Sequence, residues 1–344
     1  MKRTWIAGIA FLAFIGVAVA LVVWRGPDWH VVRHAFAAVS WPWVAAAIGL
    51  NLLSVLTRSG SWDTCIQQSM EPPHPPYPLV FSAFCVGLFA NAVLPGRVGE
   101  LARAAVLRRR MPGRKGATAT LIGSVFAHRM FDLFPTVTLV AWVLFAADIP
   151  QWAYLTLGVA IGVGVLLFLA AIYLARRQHR ELESLGPVRQ LLARARMGLG
   201  IMSHPVPALK ASAFQYMGWT CQLFAVWSAM RAFQIDEPLA AAGLVLVLMN
   251  VATIVPLWPG NVGLVQVAVA TPLVNYGIAY AHGIAFGIGL QAIEASVGIG
   301  IGLVFLAREG LSFATLRQME QNAEDSVEHE PLQERERART GVSG

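Results

Sequence analysis

The chain has 344 residues, of which 56% are hydrophobic and 13% are charged, and its formal net charge is +7. A soluble domain carries about 25% charged residues, so this composition excludes an ordinary soluble protein and indicates an integral membrane protein. The mean hydropathy of +0.59 agrees with this. Because the apolar runs are long enough to span a bilayer, we predict an all-α, polytopic transmembrane helix bundle with about seven to nine hydrophobic segments.

The predicted membrane segments follow one another from the first residues to position 307. Leu79–Leu94 and Val262–Tyr276 are short for a complete crossing of the bilayer. In chain order the segments are Trp5–Trp24, Trp41–Thr57, Leu79–Leu94, Thr118–Phe145, Trp152–Ala175, Ala208–Met230, Leu239–Leu257, Val262–Tyr276 and Ile284–Ala307.

The first segment has two interpretations. Lys2-Arg3 followed by an apolar run is typical of a signal peptide, and Ala18-Val19-Ala20 resembles a cleavage site. The apolar run nevertheless continues to Trp24, and tryptophans at both ends are typical interfacial anchors. We expect a retained first helix with a cytoplasmic N-terminus in the cell inner membrane.

The distribution of basic residues among the loops predicts the topology of the remaining segments. The basic segments Arg97–Lys115 and Arg176–Lys210 should be cytoplasmic, and the acidic turns Ala147–Gln151 and Gln234–Pro238 should lie outside. If the first two segments return the chain to the cytoplasm near Arg58, a complete crossing by the third would place the most basic loop outside. We therefore predict that the third segment, 79–94, is a re-entrant hairpin. Broken backbone at membrane depth requires cover by protein or a wet cavity.

A short motif recurs in the second half of the chain. PGRVG at 95–99 and PGNVG at 259–263 are 164 residues apart, and each follows an apolar run that contains an asparagine, Asn91 or Asn250. Such paired, interrupted segments point to a binding site in transporters. We predict two half-repeats, 1–175 and 206–307, each with a broken or re-entrant Gly-Pro segment. Residues 308–344 form an acidic, aperiodic cytoplasmic tail that we predict to be disordered.

The first motif carries charges. Arg97, Glu100 and Arg103 are three residues apart, so they share one helical face, with the glutamate between two arginines. Arginine donors left free by this pairing can bind a phosphate bidentately. The alternative is a salt bridge among ordinary topology-setting arginines at the cytoplasmic surface.

Two other ionisable sites interrupt apolar segments. In HRMFD at 128–132, Arg129 and Asp132 are three residues apart and His128 and Asp132 are four apart, so these side chains can meet on one helical face. The Arg129–Asp132 ion pair either lines a headgroup cavity or locks helix packing. Glu294 has no charged neighbour on its own helix, and we expect Arg97, Arg103 or Arg129 as its partner. It is either a proton-coupling acid or a protonated carboxyl bonded to a backbone carbonyl.

The second motif lacks these charges. Asn261 stands where Arg97 does, and Gln266 follows it, so this half can bind a headgroup only through neutral hydrogen bonds. The same amides could serve as interhelical contacts. Neither a hydrolase or nucleotide-binding motif nor a metal-ligand spacing occurs, and the three cysteines form no C-x-x-C. We expect no catalytic residue, metal or cofactor, and no enzyme.

NAVLPGRVGELARAAVL, HRMFD and VPLWPGNVGLVQVA resemble the signature segments of the flippase-like integral membrane family. This family is named after the transmembrane half of lysylphosphatidylglycerol synthase/flippase, and it includes UPF0104 and hopanoid-associated members. The resemblance implies that Asn91, Arg97, Glu100 and Arg103 line a lipid-handling cavity. The family usually has glutamate at the position of Gln266. The soluble aminoacyl-transferase domain of the name-giving members is not expected in this chain.

Together these features predict a lipid translocator that moves or binds a polar-headed anionic or isoprenoid lipid. One alternative is a membrane-embedded transferase that uses a lipid-linked donor. Another is a non-transporting partner in cell-envelope or hopanoid assembly. The expected partners are membrane lipids, a second copy of the chain or an envelope-biosynthesis enzyme, and not nucleic acid, because the basic residues lie at membrane boundaries. The expected binding residues are Asn91, Arg97, Glu100, Arg103, Arg129, Asp132, Asn250, Asn261, Gln266 and Glu294.

Overall fold

The computed structural model describes residues 27–94, 99–111, 117–149, 204–254 and 259–310, together with positions 154, 155, 158 and 162. Every regular element within these ranges is helical, as predicted. In chain order the α-helices are α1 (Trp29–Ala37), α2 (Trp41–Ser69), α3 (Tyr77–Val93), α4 (Gly99–Arg109), α5 (Ala117–Ala146), α6 (Pro205–Ala232), α7 (Leu239–Ala252), α8 (Leu264–Leu273) and α9 (Tyr280–Arg308), with 3-10 turns at Pro259–Asn261 and Val274–Tyr276.

Three helices in the described ranges are long and apolar enough to cross a membrane. They are α2, the Thr120–Ala146 part of α5, and α9. The shorter apolar helices are Tyr77–Val93, Leu239–Ala252 and Leu264–Tyr276. The predicted multi-pass membrane character is therefore supported by helix length and composition.

Helix α2 differs most from its prediction. It continues from Thr57 to Ser69, so Arg58 lies inside a long helix, and the expectation that the chain returns to the surface near Arg58 was wrong. The hydropathy falls after Thr57 because this part of the helix carries small polar side chains. These are buried and bonded within the bundle: Ser61 Oγ donates to Ala211 O at 3.0 Å and Thr64 Oγ1 to Gly60 O at 2.9 Å.

The other boundaries follow the predicted segments with smaller changes. Helix α7 ends at Ala252 instead of Leu257, and the segment 262–276 divides into α8 and a 3-10 turn beside Pro272. Helix α1 was not predicted. The predicted segments 5–24 and 152–175 lie wholly or largely outside the described residues, as does the tail after position 310.

Helices α2 and α6 form the centre of the bundle and run antiparallel. The Ser40 amide donates to Ala232 O at 2.9 Å, and Ser54 Oγ donates to Gly218 O at 2.8 Å. Farther along, Ser61 meets Ala211. The residue numbers fall along α6 as they rise along α2, which is the signature of an antiparallel pair.

The helices recur in the same order 164 residues apart. Adding 164 to the bounds of α2, α3, α4 and α5 gives ranges that overlap α6, α7, α8 and α9. Residues with this separation meet where α2 and α6 cross, because Ser54 bonds Gly218 and Arg58 bonds Gln222. The two sets of helices therefore contact each other through corresponding residues.

A close glycine contact packs α3 against α4. A Cβ atom at Gly99 would collide with the carbonyl oxygen of Gly87 and with the Asn91 side chain. Asn91 Oδ1 accepts a hydrogen bond from the Gly99 amide at 2.8 Å. Gly87 also packs against the Cβ atom of Arg103, so the two helices form an antiparallel hairpin. Gly99 therefore permits a close approach of the two helix backbones.

Candidate functional site

Five charged side chains from α2, α4 and α5 meet inside the bundle and form what we call the central charge network. The Glu100 carboxylate accepts hydrogen bonds from two arginines, Arg103 Nη2 at 2.5 Å and Arg129 Nη2. The predicted pairing of Glu100 with Arg103 is present, and Arg129 of α5 is the second cation. Arg97 lies outside the described residues. The network consists of Arg58, Glu100, Arg103, Arg129 and Asp132.

Asp132 is the most completely paired member of the network. Its oxygens accept from Arg129 Nη1 at 3.0 Å, Arg58 Nη2 at 3.3 Å, Gln215 Nε2 at 2.8 Å and Trp219 Nε1 at 3.0 Å. The predicted Arg129–Asp132 ion pair is therefore present and is joined by donors from two other helices. Four donors fix the position of this carboxylate and compensate for its removal from water.

The network lies about half-way along the long helices. Asp132 is near the midpoint of α5, Ala117–Ala146, and Arg58 is near that of α2, Trp41–Ser69. A charge near the middle of a bilayer is costly unless it is paired, and such residues mark substrate or ion pathways. The pairing described here meets that requirement with both signs of charge.

Arg103 and Arg129 have different environments. Arg103 is only 3% exposed, and its guanidinium lies 4.7 Å from the Trp62 ring centroid and 5.3 Å from that of Phe84. These cation–π contacts fix the side chain between two rings. The Arg129 side chain, in contrast, is 48% exposed. Arg129 is therefore the arginine of this pair with donors available to a ligand.

The charges of the described network do not cancel. Three arginines, Arg58, Arg103 and Arg129, face two carboxylates, Glu100 and Asp132. Within the network one positive charge is left over, and the carboxyl that faces it from outside the network is Glu294, next to Gln222 and Arg58. An anion in the cavity could take the place of that carboxylate as the partner of Arg58.

His128 is buried behind the network and was expected to meet Asp132 on α5. Its Nε2 atom instead lies 3.2 Å from the backbone oxygen of Arg58 and 3.2 Å from Gln215 Nε2. The reason is that Arg58 and Gln215 come from α2 and α6, which cover this face of α5. His128 contributes to helix packing and lines the inner wall of the cavity described next.

A partly open cavity of about 50 Å³ adjoins the network and is called the central cavity below. This is space for a few water molecules, or for a group the size of a phosphate. The hairpin contributes Asn91, Gly99, Glu100 and Arg103 to the wall, and α2 and α5 complete it. The polar members of the wall are Arg58, Asn91, Glu100, Arg103, His128, Arg129 and Asp132.

The second half places its amides in a different arrangement. Gln266 Oε1 accepts from the Gly263 amide at 2.5 Å, and Gln266 Nε2 donates to Gln291 Oε1 at 2.5 Å. Gln291 Nε2 in turn donates to the carbonyl of Gly260. The three bonds form an amide relay that fastens the PGNVG turn to α9. Asn261 Nδ2 donates to Ala252 O at 3.0 Å and joins this turn to α7.

Asn250 and Glu294 lie apart from the central cavity. Asn250 Nδ2 donates to Leu246 O within its own helix at 2.8 Å, so it does not repeat the role of Asn91. Glu294 forms a hydrogen bond with Gln222 of α6 and interacts electrostatically with Arg58. The expectation that Arg103 or Arg129 pairs with Glu294 was wrong, because these arginines pair with Glu100 and Asp132. The third expected partner, Arg97, lies outside the described residues.

Sequence reasoning missed the residues that reach the network from other helices. Arg58 was assigned to a loop, and Gln215 and Trp219 were treated as parts of an apolar segment. One signal was available, because Arg58 and Gln222 are separated by the same 164 residues as the two PGxVG motifs. An arginine in one half and a glutamine at the corresponding position of the other indicate that both halves have a polar environment at this position.

Comparisons with curated proteins and with solved structures give no match to this chain. A family model described as the lysylphosphatidylglycerol synthase TM region matches residues 5–315, which is nearly the whole chain. The resemblance expected from the three sequence segments is thus confirmed. The chain is a multi-pass membrane protein and belongs to the family of lysylphosphatidylglycerol synthase transmembrane regions.

Proposed function

We propose that this protein moves an anionic lipid between the two leaflets of the cell inner membrane. The observation that carries the proposal is the central charge network, in which three arginines share two carboxylates beside a cavity of phosphate size. A lipid phosphate is the anion that membranes supply in abundance, and arginine is well suited to bind it. Membership of a lipid-handling family supports the same function.

Arg129 is the residue that we assign to phosphate binding. It is half-exposed, and its two terminal nitrogens are held by Glu100 and Asp132, which orient the guanidinium toward the cavity. Arg103 holds Glu100 from behind and is itself fixed by two aromatic rings. This division gives one arginine for binding and one for positioning. The expected ligand residues Asn250, Asn261 and Gln266 lie on α7, on the PGNVG turn and on α8, and we do not assign them to phosphate contact.

The arrangement of helices supports alternating access. Corresponding helices α2 and α6 are antiparallel, so we propose that the two halves are inverted repeats, related by an axis in the membrane plane. The α3–α4 hairpin and the α7–α8 segment would then enter from opposite sides. With the basic end of α4 in the cytoplasm, α3 re-enters without crossing and the first hairpin is cytoplasmic.

Transport accounts for the carboxylates better than group transfer does. A catalytic base needs a carboxylate that can accept a proton from the substrate. Glu100 and Asp132 are both held by arginine donors, and Asp132 has further donors from Gln215 and Trp219. These contacts suit a role in orienting arginines and favour a translocator over a transferase.

Leaflet exchange in reconstituted vesicles tests the proposal. The full-length protein is placed in phosphatidylcholine vesicles that contain a trace of labelled phosphatidylglycerol, and accessibility of the label to an impermeant quencher is followed over time. We expect exchange well above that of protein-free vesicles and faster exchange for phosphatidylglycerol than for labelled phosphatidylcholine. Equal rates with and without protein would exclude translocation of this class of lipid.

A further inference from the structure

Glu294 is a membrane-embedded carboxyl that the proposed phosphate site does not use. It lies near the midpoint of α9, Tyr280–Arg308, and does not line the central cavity. Its Oε1 atom is buried and has no hydrogen-bond partner among the described residues. The corresponding position in the first half, 164 residues earlier, is Met130, so this carboxyl belongs to one half only.

A chain of polar contacts joins Glu294 to the central charge network. Arg58 Nη2 donates to Asp132 Oδ1 at 3.3 Å, and Arg58 Nη1 donates to Gln222 Oε1 at 3.3 Å. The Gln222 side chain hydrogen-bonds Glu294. Because Gln222 receives Arg58 through its oxygen, its amide nitrogen is the group that can donate to Glu294. Arg58 therefore stands between two carboxylates that come from the corresponding helices α5 and α9.

The two carboxylates depend on Arg58 to different degrees. Asp132 has three further donors, at 2.8 to 3.0 Å, in Arg129, Gln215 and Trp219. For Glu294 the described contacts are the Gln222 amide and the field of Arg58. Displacement of Arg58 would leave Asp132 well paired and Glu294 without a counter-charge.

Arg58 is also the charged group that faces Glu294 from the helices packed against α9. Helices α3 and α8 contain no Asp, Glu, Lys, Arg or His, and α6 presents the neutral Gln222. Among the described contacts of Glu294, none involves the other charged or histidine side chains of α1, α2, α6 and α9, which include Asp63 of α2. The others are His30, Arg33, His34, Lys210, Arg231, His282 and Arg308.

We propose that Glu294 is a proton-binding site whose occupancy is coupled to the anionic headgroup; this rests on the proposed function. Arg58 lines the central cavity, so a phosphate that enters draws its guanidinium away from Gln222 and Glu294. The Glu294 carboxylate, left without a counter-charge in a poorly polar environment, binds one proton from water. When the lipid leaves, Arg58 returns and the proton is released. Headgroup and proton therefore favour each other's binding.

The coupling predicts a pH dependence that one residue removes. Exchange of labelled phosphatidylglycerol, whose phosphodiester stays ionised, is measured from pH 6 to pH 8 with equal pH on both sides. Wild-type exchange should fall as the pH rises, by at most about tenfold per pH unit, which is the limit for one coupled proton. Glu294→Gln keeps a neutral, hydrogen-bonding side chain, so its rate should not change with pH. Glu71→Gln, at an exposed loop position, should behave like the wild type.

Each outcome decides the inference. If the wild-type rate does not change with pH, or if Glu294→Gln has the wild-type pH profile, the proton site is wrong. Neither result would contradict the proposed translocation. No exchange by the wild type at any pH contradicts the proposed function, and the coupling falls with it. If Glu294→Gln does not fold, Glu294→Asp keeps the carboxyl and should retain a pH dependence with a shifted midpoint. An unchanged Glu294→Asp midpoint would also overturn the proposal.

Discussion

Arg103 and Arg129 pair with the same carboxylate but have different surroundings, and we propose different roles for them. Arg103 is buried between Trp62 and Phe84, whereas half of the Arg129 side chain is exposed at the central cavity. A buried cation held by aromatic rings and an ion pair contributes to stability, because its removal leaves a carboxylate with fewer partners. An exposed cation at a cavity contributes to binding.

We predict that Arg103→Ala lowers the free energy of unfolding by about 3 kcal/mol, the usual cost of breaking a buried ion pair. Arg129→Ala should cost clearly less, since its side chain is only half-buried. Thermal or denaturant unfolding of the purified variants in detergent measures the difference. Arg103→Lys is the matched variant: it keeps the charge but cannot stack in a plane between two rings, so it should fall between the wild type and Arg103→Ala. Equal stability of Arg103→Ala and Arg129→Ala would contradict the assignment.

The residue pairs that the sequence could predict are the local ones. Glu100 and Arg103, and Arg129 and Asp132, are each three residues apart on one helix, and helical geometry alone brings them together. The contacts of Asp132 with Arg58 and Trp219 span 74 and 87 residues of sequence, and they depend on how α2, α5 and α6 pack. No local pattern encodes them.

At the scale of elements, different contacts stabilise the α3–α4 hairpin and the α7–α8 segment, which are called the first and second hairpin below. Backbone contact between Gly87 and Gly99 and the Asn91 bond close the first. The relay from Gly263 through Gln266 and Gln291 fastens the turn of the second to α9. Charge is thus confined to the first hairpin, while the second is held by neutral amides.

Gly99→Ala should separate α3 from α4. Its Cβ atom would meet the Gly87 carbonyl and the Asn91 side chain, so the helices must move apart and the Asn91 bond to the Gly99 amide is lost. We expect a loss of about 1–3 kcal/mol of unfolding free energy, the usual cost of overpacking. Gly298→Ala is the control, because a Cβ there meets nothing within 4 Å. Equal unfolding free energies for the two variants would refute a tight hairpin contact.

The amide relay predicts coupling between its members. Gln266→Leu and Gln291→Leu should each lower the unfolding free energy by about 1–3 kcal/mol, since each removes two hydrogen bonds of about 0.5–1.5 kcal/mol. The double variant should lose little more than either single variant, because the first substitution already breaks the relay. A double-mutant cycle of unfolding measurements tests this. Additive losses would mean that Gln266 and Gln291 act independently.

For the molecule as a whole, the antiparallel crossing of α2 and α6 is the observation that supports the proposed inverted repeat. Ser54 and Gly218 are corresponding residues and bond to each other at the crossing. The repeat was predictable from the PGxVG spacing, but the inverted orientation was not, because sequence similarity between halves does not tell which way each half is turned. That information is in the order of contacts along α2 and α6.

The proposed topology rests on this orientation and on the distribution of basic residues along the sequence. In a background with Cys65, Cys85 and Cys221 replaced by alanine, Arg109→Cys should be protected from an impermeant thiol reagent added outside intact cells. Asp236→Cys, in the turn between α6 and α7, should be labelled. Labelling of both positions from the same side would contradict the re-entrant first hairpin and the inverted arrangement.

The central claim is that the charge network at the middle of the bundle handles a lipid phosphate, and one comparison of exchange rates tests it directly. Vesicles with wild type, Arg129→Ala or Arg33→Ala, an exposed arginine of α1, are compared for exchange of labelled phosphatidylglycerol. Loss of a charge-assisted hydrogen bond of about 1.5–3 kcal/mol predicts a rate about 10- to 100-fold lower for Arg129→Ala, and Arg33→Ala should match the wild type. An Arg129→Ala rate equal to that of the wild type would contradict the account.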